Sequence, residues 1–203
     1  MINKFDNIKS DISLQQSDVL ILAETWIPEK SDMSQIFKLK NFENHLNSSG
    51  RGKGLAIFHK QEYKNISDHN EENINISKIE SEDLDVITIY RSNDGSLAKL
   101  IRKLQSIINM SKSTLIIGDM NICNKKMARN ELRKFLEDSQ FKQIINKATH
   151  IEGGHLNHVY IMNMGDFVET PDIEIIPKYY SDHDSICIAW KKLEPRVSAE
   201  KKI

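Results

Sequence analysis

Apolar and polar positions along the chain follow two rhythms that alternate through its length. From Asn3 to Gln16 the apolar residues recur at helical spacing, with Phe5, Ile8 and Ile12 on one face. Asp18 to Ala23 is instead a continuous apolar run of strand length, which predicts a strand covered on both faces. "FENHLN" and "GLAIFHK" alternate as strands, joined by a glycine-rich basic loop from Ser48 to Gly54. Asn65 to Asp83 is polar and reads poorly, apart from a strand at "NINISKIE"; Leu84 to Tyr90 is a firmer one. Helical spacing returns over Ser96–Met110, through Leu97, Leu100, Ile101, Leu104, Ile107 and Ile108, and again over Ala128–Ser139, with Leu132, Phe135 and Leu136 inward. Thr114–Ile117 predicts a buried strand, and "FKQIIN", "HVYIM" and "DSICIAW" predict three more. Neighbouring strands often lack an intervening helix. The pattern therefore predicts an α/β (α+β) fold, a pair of mixed sheets flanked by helices, over a doubly wound one.

Composition narrows the class. The 203 residues suit one domain with a substantial core, expected over residues 1–192 with a polar tail at 193–203. A net charge of −1, from 28 basic and 29 acidic side chains, gives no overall field to steer a polyanion, so a nucleic-acid partner would need a local basic patch. There is no apolar run of membrane-spanning length and no apolar signal-peptide core, so no membrane partner and an intracellular location, nucleus or cytoplasm, are expected. Cys123 and Cys187 have no metal-ligand spacing and read as free thiols. The methionines are scattered and read as core filler.

Three acids change the picture: Glu24 follows one strand, Asp119 another, and Asp182 precedes a third. Carboxylates gathered at strand ends repel one another unless a cation or proton offsets them. Hard oxygen ligands of this kind suit Mg²⁺ or Mn²⁺ rather than Zn²⁺. Each acid alone reads as a solvated loop residue. Asn121 and His183 beside them favour a site.

"LILAETW", "IYRS", "LIIGDMN", "ATHIEGGHLNHVYI" and "SDHDSI", in this order and with "RGKGLAIF" between the first two, resemble the endonuclease/exonuclease/phosphatase superfamily. The resemblance covers Lys4 to Trp190 and is nearest to endonuclease domains of LINE-type retrotransposons and related mobile elements. It implies a four-layered α/β sandwich and a Mg²⁺- or Mn²⁺-dependent phosphodiesterase acting on nucleic acid, DNA first. Glu24 would bind the metal, with Asp182 helping to position it. Asp119 would activate water, Asn121 would hold that water or a phosphate oxygen, and His183 would donate to the phosphate. Tyr90 matches a tyrosine that contacts the phosphate, and reads equally as strand packing. His150 matches a position near the substrate, and reads equally as a loop residue. Arg51 and Lys53 would grip a nucleic-acid backbone or be only solvated. Gly118 would let the chain turn out of its strand beside a bulky ligand.

The sequence departs from the family pattern twice. The family begins with an interior strand carrying an Asn. Here the helix comes almost at once, and Asn3 is the nearest substitute, so the first strand is expected to be absent and the unpaired edges to invite self-association. Asn157 stands where the family has the Asp that pairs with the histidine. An amide orients an imidazole without stabilising its positive charge. A degenerate binding protein and a small-molecule phosphoesterase therefore stand as alternatives.

Overall fold

The computed structural model describes residues 4–28, 33–34, 36–48, 50, 52–60, 65–123, 131–166 and 171–190. The strands are β1 (Val19–Ala23), β2 (Glu43–Asn47), β3 (Leu55–His59), β4 (Asn65–Asp68), β5 (Ile74–Glu80), β6 (Leu84–Arg91), β7 (Ser113–Asp119), β8 (Lys142–Gln143), β9 (Asn157–Met162), β10 (Asp172–Ile176) and β11 (Ser185–Ala189). The helices are α1 (Phe5–Ser10), α2 (Ile12–Gln15), α3 (Leu97–Ile107) and α4 (Glu131–Asp138). A six-stranded sheet runs β4-β5-β6-β7-β9-β8, and its one parallel pair is β6–β7. The facing layer consists of two antiparallel pieces, β1-β3-β2 and β10-β11.

Three apolar clusters define four layers. Leu100 and Leu104 of α3 and Leu132 and Leu136 of α4 cover the outer face of the large sheet over Ile76, Ile89, Ile116 and Tyr160. Phe5, Ile8 and Leu14 of α1 and α2 cover Leu20, Ala56 and Phe58 of the smaller layer. Between the sheets, Ile57, Ile79, Val86, Leu115 and Val159 pack together, with Ile21, Ile173 and Ile186 partly buried against them. The expected sandwich is present, but only the six-stranded sheet is mixed.

Several elements differ from the pattern. The helix expected over Asn3–Gln16 breaks at Asp11, whose carboxylate accepts from Ser13 N (3.1 Å), Lys178 Nζ (2.7 Å) and Tyr180 Oη (2.8 Å). Those bonds compete with helix continuation. Burial opposes the shift, yet the bonds from Lys178, Ser13 and Tyr180 hold the Asp11 carboxyl well below the usual range. Ile12, expected inward, is 71% exposed. β1 is buried only at Leu20, because it pairs with β3 alone. Among the described residues, one edge of β1 and one of β11 carry no partner strand. β4 and β10 were not legible as strands, although "DIEII" alternates, and the "FKQIIN" strand is two residues long. Residues 128–130, at the start of the second expected helix, and the tail at 193–203 lie outside the described residues.

At the far end of the sheet from the acids of interest, Asp85 holds Lys78 (2.9 Å) and Lys112 (2.5 Å), with the Asp85 and Lys78 side chains only 2% and 10% exposed. Asp85→Ala leaves the Lys78 ammonium with Glu80 (2.9 Å) as its carboxylate partner and is expected to cost about 1–3 kcal/mol, read by urea unfolding.

Candidate active site

Strand register sorts the inner face of the large sheet into rows. Ile79, Val86, Leu115 and Ile161 form an aliphatic row, Ser77, Thr88, Ile117 and Val159 a mixed one, and Asn75, Tyr90, Asp119 and Asn157 a polar one. Polarity thus rises toward the carboxyl ends of the parallel pair β6–β7, where a sheet offers rigid positions open to ligand. Asp119 lies within β7, two residues beyond the expected strand end. Gly118 sits in this strand for packing: a Cβ there would lie 1.8 Å from the Ile89 carbonyl oxygen of β6. The close approach of two strands, rather than a ligand, demands the glycine.

Tyr90 Oη lies 2.8 Å from both Glu24 Oε1 and the Gly52 carbonyl. A phenol has one proton and cannot serve two acceptors at once. Burial, then the Glu24 carboxylate, push its ionisation far above the ordinary tyrosine range, so Tyr90 remains a donor. Glu24, Trp26 and Asn121 have left-handed backbone (φ 51°, 57° and 50°). Such residues cost about 1–3 kcal/mol each and persist where the surroundings over-determine them. The turn after β1 is fixed by Thr25 N–H to the Gly54 carbonyl (3.4 Å) and Trp26 N–H to that of Lys53 (3.1 Å).

Asp119 is 4% exposed. Burial pushes its carboxyl up to about 7, with Glu24 adding to the rise and the Asn121 N–H bond (2.9 Å) opposing it. Asn121 spends one amide hydrogen on the Arg91 carbonyl (2.8 Å), and among the described residues its other hydrogen and its oxygen remain for a ligand. His183 Nε2 lies 3.9 Å from Asp119 Oδ2. Its ring stands edge-to-face with His150, centroids 4.9 Å apart, on a bridge between those two residues. Burial lowers the His183 imidazolium pKa, against the pull of Asp182. Asp182, 65% exposed at its side chain, lies 3.8 Å from His150 Nε2. The geometry thus gathers Glu24, Tyr90, Asp119, Asn121, His150, Asp182 and His183 at one cleft. Asn157 lies beside Asp119 in register, its backbone N–H donating to Thr149 Oγ1 (3.1 Å), and among the described residues no hydrogen bond joins it to His183. The expected orienting contact is not formed, because the His183 ring turns toward His150 and Asp119. Lys53 Nζ bonds Asn73 Oδ1 (2.5 Å), at the rim beyond Gly52. Arg51 and Asn3 lie outside the described residues.

No family model matches the sequence, and no curated protein does. Solved structures match over nearly the whole chain. An AP endonuclease from Archaeoglobus fulgidus aligns with TM-score 0.71 at 16% identity, over 93% of this chain and 95% of that one. The 3′ phosphatase NExo (D146N) from Neisseria, bound to product DNA hairpin, aligns with TM-score 0.74 at 11% identity over the same shares, 93% and 95%. The endonuclease domain of TRAS1, a telomere-specific non-LTR retrotransposon, aligns with TM-score 0.62 at 12% identity, over 91% and 89%. The chain has the endonuclease/exonuclease/phosphatase fold.

Two donor sets at this cleft of the endonuclease/exonuclease/phosphatase fold could take a cation. Glu24 and Asp119 are hard oxygen donors of the kind Mg²⁺ and Mn²⁺ take, and the Glu24 charge adds to burial in raising the Asp119 pKa. His150, Asp182 and His183 also converge, with ligand atoms within 4.8 Å of one another. That set fits a metal poorly. His150 Nδ1 accepts from Glu152 N–H (3.2 Å), so the neutral ring carries its proton on Nε2 and offers a donor. The pair of imidazoles suits an anion.

Sequence reasoning missed the braces behind the site. Arg91, 7% exposed, donates through Nη1 to the Met120 carbonyl (2.7 Å) and through Nε to that of Gly95 (2.8 Å), holding the turn that presents Asn121. His158, fully buried, bonds the Ile122 carbonyl through Nε2 (2.8 Å). Only the position of Arg91 next to Tyr90 hinted at its role. No described helix is long and apolar enough to cross a membrane.

Proposed function

We propose that the protein is a divalent-metal-dependent phosphodiesterase acting on nucleic acid, a DNA endonuclease of the mobile-element type. The observation that carries this reading is the convergence of a buried, proton-hungry Asp119 with Glu24, Tyr90 and His183 at the carboxyl ends of β6 and β7. The DNA product held by the similar NExo structure supports the substrate class. Glu24 and Asp182 would hold Mg²⁺ or Mn²⁺, which supplies charge neutralisation at a phosphodiester. Asp119, once ionised, takes the proton of the attacking water. Asn121 orients that water or a phosphate oxygen with its free amide hydrogen. His183 and His150 donate to the phosphate oxygens as charge builds there. Lys53 and Arg51 would meet the nucleic-acid backbone.

Supercoiled plasmid, single-stranded DNA, RNA, nucleotides and inositol phosphates, each with Mg²⁺ or Mn²⁺ and with EDTA, test this reading. Metal-dependent nicking of plasmid with little turnover of the small esters is expected; turnover of the small esters alone would replace it.

Asn157, an amide where the resemblance implies a carboxylate, favours a second reading, a degenerate member that binds nucleic acid without turnover. The two readings separate on Asn157→Asp. In the active-enzyme reading the new carboxylate crowds Asp119, and kcat changes less than about tenfold. In the degenerate reading a silent wild type gains metal-dependent cleavage, by as much as about 10⁴-fold on the scale of a His–Asp pair.

A further inference from the structure

The polar row that supplies Tyr90, Asp119 and Asn157 has a fourth member with no role so far, Asn75. It is 2% exposed. Its Oδ1 accepts the Gly54 N–H (3.2 Å), and its Nδ2 donates to Asn47 Oδ1 (3.3 Å). Asn47, also 2% exposed, comes from β2 in the facing layer. It exchanges two amide bonds with Asn70 (2.9 and 2.7 Å) and donates to Ser77 Oγ (2.9 Å), which donates to Asp68 Oδ1 (2.7 Å). A connected polar chain thus crosses the space between the layers and ends on Gly54.

Burying two amides between sheets is costly unless their bonds are made, and a satisfied network fixes the geometry of what it touches. What this one touches is a strap. The carbonyls of Lys53 and Gly54 accept from Trp26 N–H and Thr25 N–H, and that of Gly52 competes with Glu24 for the proton of the third donor, Tyr90 Oη. Those three donors flank Glu24 in space or in sequence. Gly54 N–H is the strap's inward bond, and Asn75 receives it.

We propose that Asn75, backed by Asn47, is a positioning residue of this site: by anchoring Gly54 it sets the strap that aims the Tyr90 hydroxyl and the Glu24 carboxylate. The inference rests on the phosphodiesterase reading. A group misplaced by about 1 Å loses on the order of 10²-fold in rate, so a loosened strap acts on turnover before it acts on substrate binding.

The test uses the full chain with Asn75→Leu, which keeps the volume, and Asn75→Ser, which keeps polarity and serves if the first does not fold. Thr88→Val is the control. Thr88 is fully buried one row away and loses a bond to the Ser77 carbonyl without touching the strap. Both Asn75 variants are expected to speed hydrogen exchange at the Gly54 amide at least tenfold. They are also expected to lower kcat for plasmid nicking in saturating Mg²⁺ about 10–100-fold, with KM within threefold of wild type. Thr88→Val is expected to change neither. Unchanged Gly54 exchange overturns the proposal, as does a kcat no lower than that of Thr88→Val. A wild type inert on every phosphodiester defeats the phosphodiesterase reading instead, while the exchange measurement still decides whether Asn75 anchors the strap.

Discussion

Asp119→Asn is expected to lower metal-dependent nicking by about 10²–10⁴-fold, the range for loss of a positioned general base. It is also expected to make the metal-free protein more stable at pH 8. The two effects share a cause. Burial and the nearby Glu24 carboxylate hold the Asp119 pKa up to about 7, far above its unfolded value of 3.8. The folded chain therefore keeps this proton over a range where the unfolded chain has released it. The resulting stability is complete below the unfolded value and is lost as pH rises through about 7. An amide has no proton to lose. The melting temperature of the variant should exceed that of wild type by a few degrees at pH 8, at about 2–4 °C per kcal/mol for a domain of this size, and the gap should close below pH 4. Mg²⁺ should narrow it by stabilising wild type. Thermal melts across pH, with EDTA and with Mg²⁺, check the sign. A gap that widens in acid would contradict it.

His183→Ala is expected to lower kcat by about 10²–10³-fold, the scale for removing one preorganised donor to a developing oxyanion. The group sits 3.9 Å from Asp119 Oδ2, and burial lowers its pKa, so the neutral ring is the working form at neutral pH. In the proposed reaction it is a donor to the phosphate, with the Asn157 amide rather than a carboxylate beside Asp119. His150, edge-on to it at 4.9 Å, supplies a second N–H from its Nε2. His150→Ala should therefore cost less than His183→Ala, and the double variant little more than His183→Ala alone if the two rings serve one phosphate oxygen. Steady-state kinetics of the three variants on one plasmid substrate distinguish these outcomes.

The sequence made the layers legible where periodicity was long. The stripe from Leu97 to Ile108 and the run before Gly118 each produced an element close to its expected bounds. Ser96 is the N-cap of α3, its hydroxyl accepting from Lys99 N–H. Short or competing signals failed. Asp11 looked like one polar residue in a helix, because its partners Lys178 and Tyr180 lie far along the chain. β1 looked doubly covered, since apolarity reports what a strand could bury and not which neighbours it has. At the candidate site, chemical type and order singled out Glu24, Asp119 and His183, which the fold brings near one another at one end of the large sheet. The contacts of Asn75, Asn47 and Arg91 are set by tertiary register, and nothing local in "INIS" or "YRSN" marks them. The expected Asn157–His183 contact failed for the same reason: register puts the amide beside Asp119, while the ring takes its neighbours from the loop carrying His150.

The most direct test of the central claim is Mn²⁺ binding followed by electron paramagnetic resonance, in wild type and in Glu24→Gln. The proposed cation held by Glu24 and Asp182 predicts a saturable Mn²⁺ site in wild type, competed by Mg²⁺ and weakened at least tenfold in the variant. Equal binding by the two proteins, or none by wild type, would contradict the account.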